Sequence, residues 1–492
     1  MVGLDISKIV LSRRFVFFAG LAVILFALSA SIDFPYAIDD YDYLYQVTKV
    51  TNITEFAEYL FIPNNEHVFP VLKIFYFVFY NLFWINTICF HILIIFFYLL
   101  FYFQSYSFFQ NLKFTETACT IFTIFLCSST IFLYTVSPIC YTHIFFSLFF
   151  FLIFLNQIFA YLRNKRFSLF YIFICALLSA FSFGLGLICF PVGLMLIYSA
   201  HKQPDRVPKE KLAKLVAVFA SSFLISVLPY LILSLNVPVF TGDAKVTGNV
   251  LNNFSGASLF EAAGFVWKAI FQKLIFSTTG NYYLSFAFFV SCFVGLLLKW
   301  KKIRWKVIGF FFSIMVLNYV FLYIFRRKIG MDLILLWPRY HILALFALCG
   351  IYCEIYSAVF QNSANRKKII TSAIYIIILL IATHNAFLNV VYLKKNTKSY
   401  LSVYVMNEIR NTVAEYFAET GRKELVLQDK GVKFPLSTGL MSRHLRLYVD
   451  VAVTAQARNR IIWGEKTDTA FLEFINSKKK DENLLEILFA NI

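Results

Sequence analysis

Four aspartates fall within ten positions in the segment IDFPYAIDDYDYLYQV: Asp33, Asp39, Asp40 and Asp42. Asp39 and Asp40 are adjacent and follow the first apolar run of the chain directly. Carboxylates beside a membrane are costly unless they are solvated, paired or bound to a ligand. One of them can serve as a general base toward a hydroxyl, or help to hold a metal ion. A solvated acidic turn is the plain alternative. The same segment ends in IPNNEHVFP, where Glu66 and His67 add two more ionisable groups. Glu66 can also simply complement a helix N-terminus, and His67 can be an interfacial polar residue. Further on, RRKIGMDLILLWPR gathers Arg326, Arg327, Lys328 and Arg339 within 14 positions. Arg offers bidentate hydrogen bonds to phosphate and Lys a point charge. Snorkelling at helix ends accounts for one or two such residues, whereas a phosphate at the membrane surface accounts for the group.

The elements that must position these residues are apolar. The chain has 492 residues, of which 60% are hydrophobic and only 15% charged, and Phe alone occupies 61 positions. Soluble domains carry about 25% charge, so an all-α polytopic membrane protein is expected, and collagen, a disordered chain and a disulfide scaffold are excluded. The nine Cys lie in apolar runs or at their edges, with no metal-type spacing. Eleven runs are long enough to be read as spans, near 15–32, 85–103, 117–135, 141–160, 168–183, 185–199, 215–236, 281–298, 307–325, 340–359 and 369–391. The first resembles a signal sequence after Lys8, Arg13 and Arg14, and is read as an uncleaved anchor.

The run from His67 to Phe103 is too long for one span. It reads as an interfacial helix near 66–83, a break at Trp84 and Asn86, and then a span. Leu259 to Phe276 reads as a second interfacial helix. With this arrangement, 20 basic residues fall on the inner side and 9 on the outer side before the tail, Lys73 included. That bias places the N-terminus inside and the C-terminus outside. The net charge of +18 therefore orients the chain in a bilayer, and nucleic acid is not expected as a partner.

Residues 1–392 thus form a polytopic domain whose first outer loop, 33–84, is the expected catalytic loop. Residues 393–492 read as a small extracytoplasmic α/β domain. In it, Ser399 to Glu419 is an amphipathic helix stopped by Gly421, ELVLQ (424–428) and LRLYVDVAV (445–453) are strands, and Phe471 to Phe489 holds one or two short helices. FSFGLGLICFP, with Gly184, Gly186 and Pro191, reads as a tight outer turn. Asn52 and Asn253 match the short glycan-acceptor pattern. Nucleotide-binding loops, zinc-protease motifs and nucleophile elbows are absent from the sequence.

The order of an inner N-terminus, one span, an acidic outer loop, an interfacial helix and many further spans resembles the GT-C superfamily of polyprenyl-phosphate-sugar-dependent glycosyltransferases. That group includes protein mannosyltransferases, aminoarabinose transferases and O-antigen-modifying transferases. AIDDYDYL is similar to the acidic first-loop signature, which implies that Asp39 or Asp40 is the catalytic carboxylate. WPRYHILAL resembles a late Arg-Tyr at the outer start of a span, although the prolines that often follow it are missing here. The match implies lipid-phosphate binding by Arg339, beside Tyr340 and His341. The implied reaction moves a sugar from a polyprenyl-phosphate donor to a glycan, lipid or protein acceptor at the outer face of a bacterial inner membrane. A divalent cation is possible, since members of the group differ in metal dependence. An O-antigen polymerase or ligase is one alternative, since it shares the lipid donor. A polysaccharide flippase or transporter is the non-enzymatic one, and would show mid-membrane charges or broken helices.

Overall fold

A computed structural model describes residues 12–32, 38–61, 69–83, 87–163, 169–202, 207–234, 259–274, 282–326, 335, 338–360, 366–399, 401–428, 460–464 and 466–478. Every one of the eleven apolar runs coincides with a helix. The first part of the chain forms α1 (Arg13–Ser29), α2 (Ile38–Thr48), α3 (Ile53–Phe61), α4 (Pro70–Phe83), α5 (Thr87–Asn111), α6 (Glu116–Ser128), α7 (Thr130–Val136), α8 (Thr142–Leu162), α9 (Leu169–Ser182), α10 (Cys189–His201) and α11 (Lys209–Ser234). Then come α12 (Leu259–Trp267), α13 (Tyr282–Leu298), α14 (Trp305–Arg326), α15 (Ile342–Phe360) and α16 (Arg366–Ser399). Among the described residues, seven helices are long and apolar enough to cross a membrane, or eight if α6 and α7 count as one bent span. The fold is therefore an all-α polytopic membrane protein. The expected count of eleven is not reached by this measure. The α9 helix has only 14 residues, about 21 Å at 1.5 Å per residue, against a hydrocarbon core of about 30 Å.

Hydroxyl side chains set several helix starts. Ser12 accepts from the backbone N–H of Phe15 at 3.2 Å and Thr115 from that of Ala118 at 3.3 Å. The run Ser128-Ser129-Thr130 breaks the third apolar segment. Ser129 is extended at ψ 138° and its hydroxyl accepts from Ile131 N–H at 3.3 Å, so α7 restarts at 49° to α6. Such side chains offer the backbone an alternative to helical bonding.

Long-range contacts sort the helix ends into two groups. Arg13 pairs with Glu116, Ser357 Oγ accepts from Thr115 N–H at 3.2 Å, and Arg304 reaches both Glu354 and the carbonyl of Leu112. These residues share one end of the bundle. At the other end Asn389 donates to the Ala27 carbonyl at 3.2 Å, Tyr134 stacks on Tyr392 at 4.2 Å, and the turn Pro338–His341 packs against α7. The core between the two ends is dense in Phe. Phe108, for example, meets the rings of Phe109, Phe159, Phe311 and Phe346.

The acidic segment after α1 is not one loop: α2 and α3 form within it, and both pack on α4. The interfacial helix read near 66–83 appears as α4, and its expected break at Trp84 and Asn86 lies outside the described residues. The second interfacial helix appears as α12, continued by a π-helical turn at Lys268–Leu274. In the tail, α17 (Leu401–Thr420) ends at Gly421, whose φ of +63° is the left-handed conformation that glycine adopts readily. The strand β1 (Glu424–Gln428) pairs in parallel with β2 (Arg460–Gly464), a strand that the sequence reading did not anticipate. Helix α18 (Thr469–Ser477) follows, its first turn capped by Asp468 at 2.9 Å. The expected strand at 445–453 lies outside the described residues.

Candidate functional site

Asp40 is fully buried in the first turn of α2. Its carboxylate accepts a short hydrogen bond from the Tyr76 hydroxyl on α4. Burial, and next the Asp40 carboxylate, push the Tyr76 phenol well above its ordinary range, so Tyr76 keeps its proton and donates it. Tyr43, one turn on from Asp40, packs on the Tyr76 ring at 5.1 Å and on Phe69 at 5.5 Å. Phe69 stacks on His143 at 5.0 Å, and His143 meets Phe183 at the same distance. An aromatic chain thus runs from Asp40 to the turn Gly184–Ile188.

The basic half of the site lies across the segment Ser137–His143. Pro138 stops α7, and a short 3-10 turn, Ile139–Tyr141, leads into α8. The Arg339 guanidinium lies over the Tyr141 ring at 4.0 Å and over the Tyr340 ring at 5.2 Å, a cation–π arrangement. Within the same turn, the Cys140 carbonyl meets His143 Nδ1 at 2.5 Å. His143 stacks on Phe69, while Tyr141 carries Arg339. One seven-residue segment therefore touches both halves of the site.

Arg339, Tyr340, Ser147, Leu185, Gly186 and Ile188 line a crevice of about 10 Å³, room for about one water. Gly186 makes the turn beside it possible. A Cβ on Gly186 would lie 2.0 Å from the Ser179 carbonyl oxygen, so only glycine lets this turn approach α9.

His341 is occupied within the fold. Its Nδ1 accepts from the Tyr319 hydroxyl at 2.8 Å, and its Nε2 donates to the Leu335 carbonyl at 3.1 Å. These bonds match the neutral imidazole with its proton on Nε2, a shape that anchors the turn bearing Arg339. Asn318 adds a bond of 3.3 Å to the Tyr340 carbonyl. One turn beyond Tyr319 on α14, Tyr323 donates to Glu261 of α12 at 2.8 Å.

The structure thus brings Asp40, Arg339, Tyr340 and His341 to one end of the bundle. Asp39 lies in α2 and Arg326 closes α14, and only their backbone positions are described. Glu66, His67, Arg327 and Lys328 lie outside the described residues. Among the described residues, no group of three or more His, Cys, Asp or Glu comes together to hold a metal ion.

Tyr43, Tyr76, Lys73, Tyr141 and His143 were not singled out from sequence. Lys73 is fully buried on α4, one turn before Tyr76. Its Nζ donates to the Tyr59 carbonyl at 2.7 Å, while the Tyr59 hydroxyl donates to the Lys73 carbonyl at 3.1 Å. Burial pulls the Lys73 ammonium down to about 7. A lysine inside VLKIFYF and the polar string SPICYTH between two apolar runs were the available signs.

Comparison with protein-family models, curated proteins and solved structures finds no match for this chain.

Proposed function

We infer that the protein is a glycosyltransferase that moves a sugar from a polyprenyl-phosphate donor to a glycan, lipid or protein acceptor. The outer face of the membrane is assigned to the end bearing Asp40 and Arg339, with the basic N-terminal end inside. The observation that carries this reading is the Asp40 carboxylate, buried and already accepting a hydroxyl, at the same end as Arg339. The Tyr76 hydroxyl occupies the place that an acceptor alcohol takes. On exchange, Asp40 accepts the alcohol's proton while its oxygen attacks the anomeric carbon. The bond from that carbon to the phosphate oxygen breaks, and the phosphate leaves with the electron pair. Arg339 stabilises the negative charge as it develops, and Tyr141 fixes the plane of its guanidinium.

Asp40→Asn keeps the shape and loses the base. In membranes supplied with the lipid-linked sugar, this variant is expected to insert normally and lose about 10²- to 10⁴-fold in transfer rate. Transfer at the wild-type rate would make Asp40 a structural carboxylate and remove the transferase reading. The break between α6 and α7 favours a second reading, a polysaccharide flippase or transporter, since broken spans are a transporter device. In that case the Asn variant still moves the lipid-linked glycan across the membrane and forms no glycosidic bond in either version.

A further inference from the structure

Three helices run parallel and in register beside the break in the α6–α7 span. The Thr117 side chain lies beside the Tyr375 phenol, and Tyr134 stacks on Tyr392. The differences 375 minus 117 and 392 minus 134 both give 258, so α16 stays level with α6 and α7 along its length. Asn385 is then level with Cys127, and Ala386 with Ser128. On the other flank, Gly20 of α1 sits against Ile124, and Ala27 takes the Asn389 bond. That puts Val23 at the height of Cys127 as well. All three helices pack on one another.

At this height the polar groups are not satisfied. Asn385 and Asn389 are fully buried, on one face of α16. Asn389 uses its amide nitrogen on Ala27, which fixes that face toward α1. Both polar atoms of Asn385, the Oδ1 of Asn389 and the hydroxyl of Ser128 have no partner among the described residues. A buried polar group left this way costs about 1–3 kcal/mol. The last turn of α6 ends here too, and its Leu126 carbonyl takes the Ser129 backbone N–H at 3.3 Å. Tyr98 takes the carbonyl of Cys127 at 2.6 Å.

We propose that this break binds a small monovalent cation, Na+ being the probe of choice. The available ligands are neutral oxygens: Asn385 Oδ1, Asn389 Oδ1, Ser128 Oγ and the terminal carbonyls of α6. The described residues of α1, α6 and α7, and those of α16 around Asn385, bring no carboxylate to this height. Neutral oxygens offset the desolvation of one positive charge far better than that of two. A cation that retains one water serves both halves of the Asn385 amide, because the water's free lone pair accepts from Nδ2. The site does not depend on the transferase reading. It bears on the functional end through α7, which links the break to the Tyr141 and Arg339 stack.

The full-length protein in phospholipid nanodiscs tests this directly. Its melting temperature should be higher in sodium chloride than in choline chloride at equal ionic strength, and the difference should saturate with Na+. Asn385→Leu should abolish the difference. Where that variant does not fold, Ser128→Ala is read instead, and should raise the Na+ concentration for half-effect about tenfold. Equal melting in both salts would mean that water alone fills the break and would overturn the proposal. A sodium effect that persists unchanged in the variants would place the ion elsewhere and overturn it too.

Discussion

The two ends of the helical bundle hold their charges differently. At the end bearing the N-terminus of α1, opposite charges meet directly. Arg304 donates from Nε to Glu354 Oε2 at 2.8 Å, its backbone N–H donates to Oε1 at 2.8 Å, and Nη1 takes the Leu112 carbonyl at 2.7 Å. Glu354 is only 2% exposed. This clamp joins the α5–α6 turn, the start of α14 and the end of α15. Arg13 with Glu116 extends the pattern, and Arg163 donates to the Asn111 amide oxygen at 2.9 Å. At the other end, the described partner of Asp40 is a phenol, and those of Arg339 are aromatic rings. A carboxylate that already holds a guanidinium has spent its charge on the fold. The ion pairs at the first end serve the fold, while the second end carries the residues proposed to form the site.

The sharpest test of that contrast is at the paired end. Arg304→Met leaves the Glu354 charge buried with only the backbone N–H to answer it. A loss of about 3 kcal/mol of stability is expected, seen as a lower melting temperature. Replacing both residues by Met should recover much of it, because the stranded charge is gone.

Arg339→Ala should do the reverse. Melting should fall less than for Arg304→Met, while use of the lipid donor weakens by about 1.5–3 kcal/mol, the worth of a charged hydrogen bond. Lys at this position should recover part of the loss, since it lacks the planar fork. If Arg339→Ala instead destabilises the fold as much as Arg304→Met and leaves donor affinity unchanged, the two ends are alike and Arg339 is scaffold.

The smallest effect is expected at Lys73, whose described partners are the carbonyl and ring of Tyr59. Unfolded, this lysine holds its proton up to pH about 10.4, whereas burial in the fold lowers that to about 7. The unfolded chain binds more protons between those values, so stability rises with pH across that window. Melting temperature measured from about pH 7 to about pH 9 should climb more steeply in the wild type than in Lys73→Met. Parallel curves would show that Lys73 stays charged in the fold.

Much of the fold was legible in the sequence because hydrophobicity is a local property. A continuous apolar run of the length of a bilayer satisfies its own N–H and C=O groups in lipid only as a helix, since a barrel strand must be shorter and alternate in character. All eleven runs are helical, Gly421 stops its helix, and helices form in both segments read as interfacial. The sequence likewise singled out Asp40 and Arg339 as ionisable groups next to apolar runs. Tertiary structure decided their company. Tyr76 lies 36 positions from Asp40, and Tyr141 lies almost 200 positions before Arg339. Nothing local makes a tyrosine in a run of Phe and Ile a partner to a carboxylate. The paired strand β2 was missed for the same reason, since its partner is 36 positions away. The break at Ser128–Thr130 was written in three hydroxyl residues, yet its weight comes from Asn385. Only the parallel register of α1, α6 and α16, set by ring stacking and by glycine contact, carries that residue to the height of the break.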